Sequence, residues 1–397
     1  MTTKKKMLGA AAGTAAAGGA GLDITDVFST YLWDGTSSAQ TITNGIDLDG
    51  EGGLVWMKNR TSSSYSHALQ HTTIADGGYL SSNTTAAFQA AANNGISAFN
   101  SDGFTFDTGN WEEFNNSSHD YASWTFRKAP KFFDVVTYTG DGASSHTISH
   151  NLNNTVGFIV TKRTDSTSNW AAWHHSLGND HRLFLNATSS SSSSTTRIRS
   201  ATTTTFTVGA GGDANASGAT YVAYLFAHND GDGEFGPDGS DIIKCGSYTG
   251  SGADQNIDLG FEPQFLLIKN ATDAADWYIL DTMRGFTATS LTNEHINPNN
   301  SNAESKVGNV VYDKFLNSTG FNVKANASEF NTSNKNYIYM AIRRGPLAPP
   351  EAGTEVFAMD TRGAGTPDFT AGFSVDMSLF KDIASSSSSW TNSARLI

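Results

Sequence analysis

The most informative stretch of the sequence is Gly157-Phe158-Ile159-Val160-Thr161-Lys162-Arg163-Thr164, in which an apolar run ends at charged and polar residues. It predicts a buried β-strand that stops at a charged, polar edge. The pattern recurs at Leu54-Val55-Trp56-Met57-Lys58-Asn59-Arg60-Thr61 and Phe265-Leu266-Leu267-Ile268-Lys269-Asn270-Ala271-Thr272, and more faintly at Val375-Asp376-Met377-Ser378-Leu379-Phe380-Lys381-Asp382. The lysines stand at positions 58, 162, 269 and 381, which are 104, 107 and 112 residues apart. A repeat of this length indicates tandem structural units, each with one such anchor strand.

The repeats share more than the anchor strand. Short alternating segments open them, at residues 27–32, 135–140 and 246–250, and apolar closing strands end them, at residues 121–127, 221–226 and 337–342. Turns of Gly, Asn, Asp and Ser lie between the segments, and short turns favour antiparallel pairing because parallel strands need long crossovers. One core for each hundred or so residues fits a β-sandwich. The sequence therefore predicts an all-β fold of tandem repeated antiparallel β-sandwich domains, preceded by an extended N-terminal arm.

Shifts in composition set the expected boundaries along the chain. The parts are an N-terminal docking arm (1–25), β repeat 1 (26–130), β repeat 2 (131–230), an acidic Gly-rich linker (231–241), β repeat 3 (242–345), a Pro-rich linker (346–354) and the start of an incomplete β repeat 4 (355–397). The fourth repeat has an anchor strand but no closing strand, so we expect the sequence to continue in a longer chain. The expected core positions are Trp56, Val160, Ile268, Phe126, Phe226 and Ile342.

Charge and composition exclude several classes of protein. The formal net charge of −13 argues against non-specific binding to nucleic acid, which needs a basic surface. The single cysteine, Cys245, excludes an intramolecular disulfide and argues against a zinc site built from cysteines. No apolar run is long enough for a membrane span.

The N-terminal arm contains few large apolar residues. Its candidate attachment residues are Lys4, Lys5, Lys6, Leu8 and Leu22. Three lysines followed by an Ala/Gly run imitate a secretory signal, but the core of such a signal is normally more apolar. We therefore expect an arm that is disordered alone and becomes ordered on a partner.

An acidic segment between repeats 2 and 3 is the most suggestive candidate site. Its alternating carboxylates resemble a calcium loop, because Ca²⁺ takes several oxygen ligands from a flexible turn. The EF-hand pattern, however, needs a glycine at its sixth position and a glutamate at its twelfth. Counted from Asp230, this chain has Phe235 and Asp241 at those positions. A polar linker is favoured, and the alternative is a cation site formed by Asp230, Asp232, Glu234, Asp238 and Asp241.

Histidines and tryptophans recur at matched positions of the repeats. His174, His175 and His181 form a cluster that could suit a metal. Alignment of the repeats, however, matches His67 with Trp170 and Trp277, and His71 with His174 and Asp281. A position that accepts either His or Asp favours a surface polar contact over a metal ligand. Trp170, Trp277 and Trp390 follow the anchor lysines by eight or nine residues, and a core position is favoured over a sugar-stacking platform.

No catalytic motif occurs in the sequence. A nucleophile elbow, a P-loop and a dinucleotide fingerprint are all missing. We therefore expect a protein that is not an enzyme and that uses no metal or other cofactor.

Several runs resemble large virion proteins of marine tailed phages of the cyanophage and pelagiphage type. These runs are Lys4-Lys5-Lys6 with the Ala/Gly arm and residues 27–32, 41–48, 52–56, 123–140 and 221–236, of which 123–140 is the most specific. The resemblance covers essentially the whole chain. Proteins of that kind carry tandem copies of an uncharacterised domain and are described as tail-fibre or structural proteins, and no catalytic residues can be carried over from them.

The resemblance implies a tail-fibre-like structural protein of the virion tail. The arm would dock on tail or neck proteins, such as an adaptor, nozzle or portal-proximal protein, and the distal part would meet a host cell-surface receptor. A homotrimer is expected by analogy with phage fibres, without nucleic acid or a membrane span. Two alternatives stay open: a secreted carbohydrate-binding or glycoside-hydrolase-type protein, and a capsid decoration, horn or knob protein.

Overall fold

The three repeats share one plan, an inner sheet with four equivalent strands and a three-stranded outer sheet, and repeat 2 extends its inner sheet to six strands. The computed structural model describes residues 21–74, 78–90, 95–107, 112–285, 292–308, 315–325, 327–347, 357, 359, 377–381 and 391–394. All strand pairs among these residues are antiparallel, which confirms the predicted all-β antiparallel fold.

The described part of repeat 1 begins with a short helix and has seven strands. They are α1 (Ile24–Val27), β1 (Phe28–Asp34), β2 (Gln40–Thr43), β3 (Gly53–Asn59), β4 (Ala68–His71), β5 (Ile96–Asn100), β6 (Gly103–Phe106) and β7 (Asp120–Arg127). The inner sheet has the order β1-β7-β3-β4 and the outer sheet the order β2-β6-β5.

Repeat 2 repeats this plan and lengthens its inner sheet. Its strands are β8 (Phe133–Thr139), β9 (His146–Ser149), β10 (Val156–Arg163), β11 (Ala171–His174), β12 (His181–Phe184), β13 (Ser192–Ser193), β14 (Ile198–Ala201), β15 (Thr205–Val208) and β16 (Thr220–Ala227). The inner order β8-β16-β10-β11 continues into β12 and β13, and the outer order is β9-β15-β14.

Repeat 3 has the same two sheets, with orders β17-β25-β19-β20 and β18-β24-β23. Its elements are β17 (Ile243–Thr249), β18 (Gln255–Asp258), β19 (Pro263–Asn270), β20 (Trp277–Asp281), β21 (Thr292–His295), β22 (Ser305–Gly308), β23 (Leu316–Asn317), β24 (Gly320–Val323), α2 (Ser328–Asn331) and β25 (Asn336–Arg343). The strands β21 and β22 form a separate hairpin.

The anchor strands β3, β10 and β19 are buried along nearly their whole length. One face of each strand packs inside its own sandwich, as Met57 and Ile268 do. The other face, with Trp56, Val160 and Leu267, packs in a core to which all three repeats contribute. A strand covered on both faces reads as a continuous apolar run, as these three do. The predicted core residue Ile268 is thus buried, but it faces its own sandwich, and Leu267 is the counterpart of Trp56 and Val160.

The shared core joins the repeats into one body, in addition to the separate cores inside repeats 1 and 3. The closing-strand residues Phe126, Phe226 and Ile342 all belong to it. The ring of Phe126 lies 5.3 Å from that of Phe226 and 6.1 Å from that of Phe265, so that repeat 1 contacts both other repeats. Phe158 of repeat 2 and Trp277 of repeat 3 are 5.9 Å apart. The repeats therefore bury one another's apolar faces.

The chain enters and leaves this body at the same place. Asp23 caps α1, and its Oδ2 accepts a hydrogen bond of 2.7 Å from the backbone N–H of Leu347, just after repeat 3. Gly345 lies so close to Ile24 that a Cβ on the glycine would overlap the isoleucine side chain. The three repeats thus return the chain to its starting point.

Part of the segment predicted as a fourth repeat is described. Strands β26 (Met377–Phe380) and β27 (Thr391–Ala394) pair as an antiparallel hairpin. Most of the Pro-rich linker, Trp390 and nearly all of the arm lie outside the described residues.

The shared core predicts cooperative unfolding. Phe126 is fully buried between the three repeats, so Phe126→Ala should lower the free energy of unfolding of the whole body by about 3–5 kcal/mol. Denaturant unfolding should show a single transition by fluorescence and by circular dichroism. Met283→Ala is the control, because that side chain is 43% exposed. Separate transitions, of which only one responds to Phe126→Ala, would contradict the shared core.

Candidate functional site

The most regular polar feature of the molecule is a ring N–H that crosses from each repeat to the preceding one. The donors occupy the position just before, or at the start of, β4, β11 and β20. The three bonds run from Trp170 Nε1 to Ser81 O (2.9 Å), from Trp277 Nε1 to Phe184 O (3.0 Å) and from His67 Nε2 to Asn297 O (3.1 Å). Repeat 2 therefore donates to repeat 1, repeat 3 to repeat 2, and repeat 1 to repeat 3.

The three acceptors are also equivalent positions. Each follows a residue that pairs with the strand after the anchor strand, in the pairs Leu69↔Leu80, Ala172↔Leu183 and Ile279↔Ile296. Equivalent donors thus meet equivalent acceptors at all three junctions, and the cycle closes on itself. We call residues 23–347 the three-repeat ring. The predicted alignment of His67 with Trp170 and Trp277 matches this geometry, and both tryptophans are buried.

The anchor lysines are buried, although the sequence predicted that they mark a polar edge. Lys58, Lys162 and Lys269 have no exposed surface. Lys162 Nζ donates to Thr85 O of repeat 1 (3.0 Å), and Lys269 Nζ donates to Thr188 O of repeat 2 (3.2 Å). Lys58 stays within repeat 1, where Nζ donates to Asn59 O and Tyr65 O. Backbone carbonyls thus replace water around each ammonium group.

Burial is the main electrostatic influence on these lysines. It lowers the pKa of each amine from 10.5 to about 8, and nearby carboxylates oppose that shift: Glu113 for Lys58, Asp213 for Lys162, and Asp276 and Asp273 for Lys269. No carboxylate is hydrogen-bonded to any of the three amines within the described residues. All three lysines therefore act as donors to loop carbonyls, and Lys162 and Lys269 do so across the junction with another repeat.

The position of His71, His174 and Asp281 is buried, so its predicted role as a surface contact is wrong. Each residue ends the strand after the anchor strand and meets the closing strand of the following repeat. His71 packs edge-on against the ring of Tyr224, His174 Nε2 donates to Tyr339 O (3.0 Å), and Asp281 Oδ2 accepts from Trp124 Nε1 (2.9 Å). Both His and Asp fit because each junction supplies a different partner.

The junction of repeats 3 and 1 contains a buried ion-pair network. Arg284, with no exposed side-chain surface, donates to Asp281 Oδ2 (2.6 Å) and Glu304 Oε1 (3.1 Å). Its guanidinium also lies 5.2 Å from the ring of Trp124. Arg60 of repeat 1 completes the network with a contact of 2.7 Å to Glu304. These charges hold the last repeat to the first.

The predicted histidine cluster does not come together around one point. His174 faces repeat 3, whereas His181 Nδ1 is bonded to Asn179 O at the surface. His175 stacks on His228 at 4.5 Å, and its Nε2 is 2.8 Å from Cys245 O. Burial lowers the pKa of His175, and lowers that of His228 to about 4. Within the described ranges, no group of three or more His, Cys, Asp or Glu side chains could hold a metal ion.

The acidic segment folds as a loop that uses its own carboxylates. Asp241 accepts hydrogen bonds from the backbone N–H groups of Gly231 (2.7 Å) and Gly233 (2.8 Å). Glu234 pairs with Lys131 at 2.7 Å, and Lys131 also donates to Asp232 O (2.9 Å). Asp230 and Asp238 complete the predicted set, and Asp238 is exposed. That this segment is a linker that does not respond to calcium stays a prediction.

Of the attachment residues, only Leu22 is described, and it belongs to the folded body. Its side chain packs against the shared core, and its carbonyl accepts from Gly236 N (2.9 Å). Lys4, Lys5, Lys6 and Leu8 lie outside the described residues. Among the described helices, none has the length and apolar character needed to cross a membrane.

Comparison with known families finds a match over most of the chain. Residues 23–346 match the model of DUF7483, a domain of unknown function. The chain belongs to the DUF7483 family. The match begins at Asp23 and ends one residue before Leu347, so one DUF7483 domain spans the whole three-repeat ring. No curated protein and no solved structure matches the chain.

Sequence reasoning missed a second repeated motif of the DUF7483 domain. An asparagine precedes a buried tyrosine by six residues in every repeat: Asn115 and Tyr121, Asn215 and Tyr221, Asn331 and Tyr337. Each tyrosine hydroxyl accepts from a backbone N–H and donates to a backbone carbonyl of the loop before the closing strand. Each asparagine bonds the loop after the opening strand. The constant spacing was the signal that could have revealed it.

Removing one ring N–H donor between the repeats should lower the stability of the fold. Trp170→Phe keeps an aromatic ring but removes the hydrogen bond to Ser81 O, which still accepts from Thr84, so the free energy of unfolding should fall by about 0.5–1.5 kcal/mol. Trp33→Phe is a matched control, because Trp33 is 6% exposed and its Nε1 has no hydrogen-bond partner in the described part of the chain. If Trp170→Phe and Trp33→Phe lower the free energy of unfolding equally in chemical denaturation, the hydrogen bond between the repeats contributes nothing to stability.

The buried histidine His174 predicts that the stability of the fold depends on pH. In His174, Nδ1 accepts from Ser176 N and Nε2 donates to Tyr339 O, so the ring must be neutral. Burial, helped by the neighbouring His175, lowers its pKa from 6.5 to about 3. The unfolded chain thus binds a proton between pH 6.5 and 3 that the folded chain does not, and stability should fall as the pH falls through this range.

A variant isolates the contribution of this residue. In His174→Gln, the amide can still donate to Tyr339 O but does not titrate. Between pH 4 and 6, the pH dependence of the free energy of unfolding should become shallower by about 1.4 kcal/mol per pH unit. An unchanged slope would mean that His174 is not held neutral.

Proposed function

We propose that this chain is a structural protein of a tailed-phage particle, tail-fibre-like, in which the three-repeat ring is a rigid knob. The observation that carries the proposal is that the recurring polar side chains form hydrogen bonds between the repeats. Trp170, Trp277 and His67, and with them Lys162 and Lys269, donate hydrogen bonds from one repeat to another. A body built in this way keeps its shape, which is what a particle component must do. The resemblance to phage virion proteins supports the assignment to a phage.

The path of the chain favours a knob over a shaft. Asp23 and Leu347 are joined by a hydrogen bond, so the ring begins and ends at one point. Repeats that extended a fibre in series would place these two points at opposite ends. This observation favours the second candidate, a capsid decoration, horn or knob protein, in which the ring projects sideways from its attachment.

The alternative of a secreted carbohydrate-binding or hydrolase-type protein receives less support. In the sequence, this alternative was based on the recurring tryptophans, which could stack on sugars. Such stacking needs an exposed ring face. Trp170 and Trp277 are 0% and 1% exposed, and their N–H groups are bonded to neighbouring repeats.

In the proposed particle, the N-terminal arm docks on tail or neck proteins, and the distal part meets a host receptor. Three chains associate as a homotrimer, and the protein is located in the virion tail. Ordering a peptide on a partner costs about 1–2 kcal/mol of backbone entropy per residue, so docking needs a large or multivalent contact. Three arms at one attachment point provide multivalency.

Deleting residues 2–21 tests the proposed attachment. The deletion leaves Leu22, the cap at Asp23 and α1 in place, so circular dichroism and thermal melting should match those of the full chain. The truncated chain should nevertheless be missing from purified particles, as measured by quantitative mass spectrometry. Replacing only Lys4, Lys5 and Lys6 by alanine separates the contribution of charge. Incorporation of the truncated chain at normal copy number would move attachment into repeat 1 and refute a docking role for the arm.

A further inference from the structure

The last two strands of the inner sheet of repeat 2 extend past its outer sheet. The inner sheet continues from β11 into β12 and β13, whereas the outer sheet ends at β14, which contacts β11 and β12. Along β12, Leu183 packs in the shared core, so the alternation of a strand places Arg182 and Phe184 on the opposite face, toward the outer sheet. Arg197 directly precedes β14. The three side chains therefore meet where the inner sheet emerges from under the outer one.

Two guanidinium groups lie close to one aromatic ring at this place. The Cζ atom of Arg182 is 4.6 Å from the centroid of the Phe184 ring, and that of Arg197 is 5.8 Å from it. All three residues are partly exposed. Ser192 pairs directly with Arg182 between β12 and β13, so its side chain lies on the same face of the sheet. We call Arg182, Phe184, Ser192 and Arg197 the arginine step.

The arginine step keeps one positive charge without a carboxylate partner. Arg197 is neutralised by Asp213, whose Oδ2 accepts from its Nε (3.1 Å) and Nη2 (2.8 Å). The other oxygen of Asp213 accepts from Ser168 Oγ (3.0 Å) and from the backbone N–H of Asn169 (3.2 Å). Partial burial and the charge of Arg197 lower the pKa of Arg182, and Asp213 opposes them. Because the Arg182 guanidinium donates no hydrogen bond to any described residue, its donors are unused.

The fold does not require a charged residue at the position of Arg182. Tyr79 in repeat 1 and His295 in repeat 3 occupy the same place, directly before the residue that pairs with the strand after the anchor strand. They are only 5% and 7% exposed: Tyr79 packs in the core of its own sandwich, and the ring of His295 lies 5.1 Å from that of Tyr278. An exposed guanidinium at a position that is otherwise buried indicates a role outside the fold.

We propose that the arginine step binds an acidic sugar through its carboxylate. The guanidinium of Arg182 presents its N–H groups in a fork that matches the two oxygens of a carboxylate. One uncompensated positive charge suits a carboxylate better than the dianion of a phosphate monoester, because Asp213 repels the second negative charge. Sugar hydroxyls can bond the hydroxyl of Ser192, which has no partner among the described residues. The C–H groups of a sugar ring can pack on the exposed part of Phe184.

Titration of the full chain with small probes, followed by ligand-observed NMR, tests this inference. Galacturonate should bind. Galactose has the same ring without the carboxylate and should bind at least about tenfold more weakly, because the charge-assisted hydrogen bonds to the guanidinium are lost. Acetate has the carboxylate without the ring, and inorganic phosphate has more charge than the step can neutralise, so both should bind more weakly than galacturonate.

Two variants that lose the same charge separate the arginine step from the general charge of the molecule. Arg182→Gln should weaken galacturonate binding at least about tenfold. Lys324→Gln removes one positive charge from repeat 3, where Lys324 pairs with Asp254 at 2.8 Å, and should leave galacturonate binding unchanged. Both replaced side chains are partly exposed, so thermal melts should match that of the full chain and show that both variants fold.

Several results would overturn the inference. If galacturonate does not bind, or if its binding survives Arg182→Gln, the arginine step is not a site for an acidic sugar. If galactose binds as tightly as galacturonate, the carboxylate is not recognised. If acetate or phosphate binds as tightly as galacturonate, the step attracts anions of any kind, and the sugar ring contributes nothing.

Discussion

Each inner sheet of this protein is apolar on both faces, and the rest of the structure follows from that constraint. A sandwich covers only one face of such a sheet, so the second face must be covered by something else. Here the three inner sheets cover one another, and Trp56, Val160 and Leu267 meet in one core. The ring contacts of Phe126 with Phe226 and Phe265, and of Phe158 with Trp277, follow from this mutual cover.

Burial of the inner sheets also buries polar side chains at the junctions between repeats. A buried ammonium or indole N–H needs a hydrogen-bond partner, and here the partner belongs in most cases to the adjacent repeat. The position of His71, His174 and Asp281 differs at each junction, and only the junction of repeats 3 and 1 has the buried Arg284 network among the described residues. Such differences can determine which repeat packs against which, since a buried charge is destabilising without its own partner.

The sequence predicted the strands and their antiparallel sandwich fold, but it did not predict the core that the three repeats share. Periodicity identified the anchor and closing strands, because a recurring apolar run can be recognised in the sequence without knowing which residues pack against it. The ring was not predictable in the same way, since Phe126 would be apolar whether it faced its own sandwich or another repeat. Lys58, Lys162 and Lys269 were interpreted as the polar edge of a strand, because lysines are seldom buried. Their partners are backbone carbonyls, which leave no trace in the residue types.

Expressing repeat 2 alone, as residues 131–241, tests the central claim most directly. If the repeats depend on a shared core, this fragment lacks the cover for one face of its inner sheet, and Lys162 and Trp170 lose their acceptors in repeat 1. Circular dichroism and light scattering should then show a chain that is unfolded as a monomer, or that folds only on association with other copies. A monomer that is folded and melts cooperatively would show that each repeat is an independent domain and would contradict the account.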